Sequence, residues 1–269
     1  TYSVSGSDAN DTNLKTISGA LTTSYSGAND YSHLASVGAV VISNSVSATS
    51  VIFGDSTTVT SIDDATASVG VVVFPNATLI SLGTAPVTSV TAVKATTVEL
   101  KAVAAAAGLT IVATAAEAIN LNSLASSGGT LSITGTGTTI IHADALATAG
   151  ILTVVDSGQS WFGALTSTTG AISVAADSAS AFGALTVINA NSSIGGDAVI
   201  LTALAATATG TLTLPDALTL SAPALVNAAV LSAPKATSAT LKSSSHTNLD
   251  VDKAASITLT DQAVDFTIG

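Results

Sequence analysis

Phe162-Gly-Ala-Leu-Thr166 recurs unchanged as Phe182-Gly-Ala-Leu-Thr186, and the 20-residue step between the copies sets a period for the chain. Aliphatic residues keep that step in two interleaved columns. One runs Val51, Val71, Val90, Leu109, Leu131, Leu152, Ile172, Ile194, Leu212, Leu231, Leu249. The other, seven to ten residues behind, runs Val59, Leu79, Val98, Ile119, Ile140, Phe162, Phe182, Leu201, Leu220, Leu241, Leu259. No step of the first column is shorter than 18 residues or longer than 22. A repeat of this length marks a solenoid, because a single unit can bury its apolar face only against its neighbours.

The local pattern says which kind. Leu131-Ser-Ile133, Leu152-Thr-Val154, Ile172-Ser-Val174, Leu212-Thr-Leu214 and Leu249-Asp-Val251 place aliphatics two apart with a polar residue between them. Ile119-Asn-Leu121, Leu218-Thr-Leu220 and Ile257-Thr-Leu259 repeat this in the second column. A period of two belongs to a half-buried strand. The expected fold is therefore all-β, a parallel β-helix with two main short strands per coil. Roughly twelve such coils, at a strand spacing of about 4.8 Å, make a rod about 55–60 Å long. A leucine-rich helical solenoid is the alternative, since Ala104–Ala107 and Ala115–Ala118 have helical propensity. Each run is too short to nucleate a helix alone, so short helical turns are confined to corners.

Corners are marked by Gly108, Gly128-Gly129, Gly150, Gly170, Gly195-Gly196 and Gly210, where positive φ is expected. Ser221-Ala-Pro223, Ser232-Ala-Pro234 and Thr84-Ala-Pro86 should lie off the strand ladders, because proline has no N–H to give. Thr110, Ser132, Thr153, Ser173 and Thr213 occupy aligned outward positions and should stack as a hydroxyl ladder. Residues 1–36 do not follow the repeat and hold all three tyrosines, Tyr2, Tyr25 and Tyr31. They read as a cap, a linker or an assembly arm ahead of a single solenoid domain, 37–269.

Composition narrows the function. Of 269 residues, 77 are Ser or Thr, so hydroxyls supply most of the polar surface around an aliphatic core. Arginine is absent, and six lysines face seventeen acids for a net charge of −11, which argues against nucleic acid and anionic membranes as partners. No apolar run approaches the roughly twenty residues of a membrane span. Without cysteine there is no disulfide, thiolate-metal or thiol-nucleophile chemistry. The chain opens at Thr1 with no Met and no leader, which reads as a processed or excised sequence.

Candidate chemistry is sparse. His33, His142 and His246 lie about five coils apart in a solenoid and cannot share a site. His142 and Asp144 fit one strand face. Asp63-Asp64 and Asp250/Asp252 are the tightest acidic pairs inside the repeat, as a glycosidase needs, yet no aromatic platform accompanies them and Trp161 stands alone. Lyases built on this fold stabilise charge with Arg or Lys, and this chain lacks Arg. The expectation is no enzyme, no catalytic residue and no organic cofactor. Calcium is the one cation the oxygen donors suit, and Asp8, Asn10, Asp11 and Asn13 are the candidate ligands. Asn10, Asn76 and Asn191 each open a glycosylation triplet, a weak signal in a chain so rich in Ser and Thr.

Gly129-Thr-Leu-Ser-Ile-Thr134, Gly170-Ala-Ile-Ser-Val174 and the Thr/Ser/Ala/Val/Gly bias without Cys resemble the β-solenoid parts of bacterial surface-layer proteins, secreted adhesins and extracellular fibre proteins. That resemblance implies export, self-assembly and frequent calcium dependence. The Gly-Asp calcium repeats of such proteins are missing here. Two functional expectations follow. The first is a structural, self-assembling subunit of an extracellular filament or surface layer, stacking on copies of itself through Val264, Phe266 and Ile268 at one end and Tyr2 and Val4 at the other. The second is an adhesin stalk or carbohydrate-binding module of a larger secreted protein, with cell-surface polysaccharide as partner. Ice binding would need regular Thr-x-Thr rows, and Asn, Asp and Ala interrupt them.

Overall fold

A computed structural model of the chain describes residues 2–4, 16–23, 28–31, 34, 36–42, 48–53, 62–64, 69–73, 79–82, 87–100, 104–105, 108–225, 227–242, 249–250 and 255–259. Every strand pairing among the described residues is parallel and joins a strand to one about a coil away, for example Leu131 to Leu152, Leu152 to Ile172 and Leu212 to Leu231. The result is a parallel β-solenoid, with no helix among the described residues. Of the two alanine runs, Ala104–Ala105 is a short strand and Ala118 begins another, while Ala106 and Ala107 lie outside the described residues.

Each coil has three sides. The first carries Gly108–Val112 and the segments 130–134, 151–155, 172–174, 211–213 and 230–232. The second carries Thr97–Leu100, Ala118–Asn120, Ile140–His142, 159–162, 179–182, Ala198–Ile200, Thr219–Ala222 and Ser238–Leu241. A third, only two residues wide, runs through Ala104–Ala105, 126–127, 148–149, Ser167–Thr168 and Val187–Ile188. This side goes beyond the two strands per coil read from periodicity, since two residues are too few to display alternation.

The second side is one ladder from end to end. Tyr2 pairs with Leu21, Leu21 with Val40, Val40 with Ile62 and Ile62 with Leu82, and the series continues to Leu241 with Leu259. Residues 1–36 contribute Tyr2–Val4, Thr16–Thr23 and Ala28–Tyr31 to these parallel ladders. Tyr31 is buried in the core.

Aliphatics inside the coils stack rung on rung: Leu109, Leu131, Leu152, Ile172 and Leu212 are all fully buried. The rings of Phe162 and Phe182 stack across neighbouring coils, with centroids 5.1 Å apart and planes 16° from parallel. Register departs from the sequence columns in places. Val90 pairs with Ile111 rather than Leu109, and Val174 with Ile194, both slips of two that keep the same face inside. Val51 pairs with Val72 rather than Val71. Ile119 pairs with Ile141, which is fully buried where Ile140 was expected. Leu218 is 42% exposed, so the inward residues of that strand are Leu220 and Ala222.

A short turn rounds most corners, closed by an N–H donating to a carbonyl three residues back. Leu124 to Leu121, Leu146 to Ala143, Leu204 to Leu201 and Leu225 to Ala222 turn the chain from the second side to the third. Ala95 to Ala92, Ala116 to Ala113 and Ala236 to Ala233 turn it from the first side to the second. Both end residues of each turn are buried, so the turn clips two interior side chains to the stack. Pro223 and Pro234 take the second turn position, where a fixed φ near −65° fits and no N–H is required. Pro86 lies outside the described residues.

Glycine works differently from expectation. Among the described glycines only Gly108 and Gly196 have positive φ, 115° and 123°. Gly150 is instead required by close approach, because a Cβ there would stand 2.5 Å from the Gly129 carbonyl oxygen of the coil below. The left-handed corner between segments 151–155 and 159–162 is made by Asp156, with φ of 58°.

Candidate functional site

Asp8, Asn10, Asp11 and Asn13 lie outside the described residues, as do Val264, Phe266, Ile268, His33, His246 and Asp252. Tyr2 and Val4 lie in the first strand of the second-side ladder, opposite Leu21 and Thr23. Asp63 and Asp64 pair with Val41 and Ile42 along that ladder. Among the described residues no group of three or more His, Cys, Asp or Glu could hold a metal ion. No described helix is long and apolar enough to cross a membrane.

The outer surface is ordered by the same registers as the core. On the first side Ser89, Thr110, Ser132, Thr153, Ser173, Ser193, Thr213 and Ser232 follow one another rung by rung before Asp250 ends the run. This hydroxyl ladder is more continuous than the sequence columns indicated. The outward column two residues earlier reads Gly108, Thr130, Ile151, Ala171, Asn191, Thr211 and carries no regular chemistry. Asn191 spends its side-chain oxygen on the Thr211 N–H at 2.9 Å.

Corner polar groups are satisfied internally. Thr139 donates to the Ala116 carbonyl at 2.6 Å and accepts from the Thr136 N–H at 2.8 Å. Ser157 and Ser160 bond each other at 3.0 Å, and Ser180 donates to the Gly195 carbonyl at 2.7 Å. Thr139, Ser157, Ser160 and Ser180 are fully buried, so these bonds hold the corners. Lys235 bonds Asp216 at 2.8 Å across adjacent coils. That hydrogen bond, and the Asp216 charge behind it, hold the Lys235 ammonium above the ordinary lysine value.

The second side gathers the most varied chemistry. Its central outward column reads Glu99, Asn120, His142, Trp161, Ala181, Ile200 and Ser221, each the Cα partner of the next. Trp161, which stands alone in the sequence, therefore lies directly beside His142. Nothing in local spacing announces this, because the two residues are 19 apart and meet only through the coil. His142 Nδ1 lies 4.0 Å from Asp144 Oδ2, both side chains about half exposed, so the pair is beyond hydrogen-bond length. Asp144 sits at the corner, its N–H bonded to the Asn122 side-chain oxygen at 3.0 Å. No family model, characterised protein or solved structure matches the chain.

Proposed function

We propose that the chain is a structural, self-assembling subunit of an extracellular assembly, a filament or surface layer, and that it has no catalytic role. The observation that supports this reading is the unbroken parallel register of the second side from Tyr2 to Leu259. Where the end rung of such a stack is uncovered, another copy can extend the ladder by main-chain bonding. A head-to-tail contact of this kind forms filaments when its rotation does not close a ring. Val264, Phe266 and Ile268 at one end, and Tyr2 and Val4 at the other, are the proposed contact residues. The seventeen acids against six lysines, with hydroxyls elsewhere, suit a surface that stays soluble until the ends meet. Calcium bound by Asp8, Asn10, Asp11 and Asn13 would tie the N-terminal segment to this assembly.

Electron microscopy of purified protein over a range of concentrations, with calcium and with a chelator, tests the reading. Filaments or sheets are expected, and dispersed monomers at every concentration would overturn it. A carbohydrate-binding or adhesin module is the second reading, favoured by the outward cluster around Trp161, and a glycan array tests it.

A further inference from the structure

We infer that the second side carries a lateral binding site for a neutral polysaccharide, centred on Trp161. The inference deepens the second reading above and is independent of end-to-end assembly, because the site lies on a flank of the rod.

Alternation fixes the direction of the ring. Ser160 and Phe162 are fully buried, and Trp161 between them is partly exposed on the outer face. On one side of it stands His142, one rung back, with Asn120 a rung further. On the other side the next rung offers only Ala179 and Ala181, and the rung after that carries Ile200, which is 36% exposed. Between Trp161 and Ile200 this face therefore carries only small alanine side chains. Two rungs span about 10 Å, room for a sugar ring laid against the indole.

The flanking groups fit hydroxyls. Gln159 lies two residues from Trp161 on the same outward face, and Asn120 and His142 continue the polar edge. Amide and imidazole groups both donate and accept, as vicinal hydroxyls require, while an indole face packs against the C–H face of a pyranose. Charge selects among saccharides. The outward residues of the second side from Thr97 to Thr240 include Glu99 but no lysine, and Asp144 stands at the adjoining corner. No lysine or arginine stands on this face among the described residues to hold an anionic glycan, so a neutral one is the occupant.

Trp161 is the only tryptophan, so fluorescence excited at the long-wavelength edge, where the three tyrosines do not absorb, reports on this site. Titration of the full chain with cellohexaose, xylohexaose and chitohexaose, and co-sedimentation with the corresponding insoluble polymers, should show a saturable shift with at least one of them. Trp161→Ala should weaken sedimentation about tenfold or more, as loss of a central aromatic anchor does, and Trp161→Phe should restore part of it. A thermal melt matching wild type shows that Trp161→Ala remains folded. Undiminished binding by Trp161→Ala would overturn this site while leaving glycan binding intact. No saturable response to any of these sugars would overturn both, and a fluorescence shift that follows self-association in sedimentation velocity would assign the face to a second copy.

Discussion

Asp156 turns a corner at φ of 58°, a conformation that glycine adopts freely and L-residues resist because Cβ crowds the following carbonyl. Asp156→Gly should therefore hold or raise stability, while Asp156→Val should lower it by about 1–2 kcal/mol, read from urea unfolding. Ser180 is a different case, a buried hydroxyl that together with Ser160 interrupts an aliphatic column. Its bond to the Gly195 carbonyl means Ser180→Ala strands that oxygen, with an expected loss of about 1–3 kcal/mol in the same measurement. Residue-level reading of the sequence met its limit at such places. Ile140 and Ile141 are chemically alike, and only the register with Ile119 decides which one faces inward. Leu218 satisfied the i, i+2 pattern, yet it follows a corner where alternation has not begun. Gly150 was legible as a corner glycine, but its cause is the Gly129 carbonyl one coil away, which no local rule contains.

Short turns and stacked pairs carry the stability of individual elements. Ala222-Pro-Ala-Leu225 and Leu201-Thr-Ala-Leu204 make the same hydrogen-bonded turn on the same edge of the rod. Placing proline at the equivalent second position, Thr202→Pro, should stabilise the fold by about 0.4–1 kcal/mol by restricting the unfolded chain, visible as a higher melting temperature. The Phe162–Phe182 stack should behave as a unit. Phe162→Ala is expected to cost about 3–5 kcal/mol, and a double-mutant cycle with Phe182→Ala should return a coupling of about 0.5–1.5 kcal/mol. Strands were the legible elements, because alternation over three or more residues is a strong signal. The two-residue strands of the third side and the turns were not, although each turn repeats a buried residue at i and i+3. That spacing also suits a helix, so pattern alone leaves it ambiguous.

The rod as a whole follows from a period that persists while its registers slip locally. A slip of two, as at Val90 with Ile111, preserves the buried face, so the stack absorbs irregular coil lengths without breaking. The sequence could reveal the period and the class of fold. It could not bring Trp161 beside His142, since that contact depends on the length of the coil between them. The proposed assembly extends the same geometry from coil to coil into copy to copy. Fibre or electron diffraction from oriented assemblies is the direct test. Copies continuing the ladder end-to-end should give a reflection near about 4.8 Å along the assembly axis. The same spacing lying across that axis, or no assembly to orient, would contradict head-to-tail stacking.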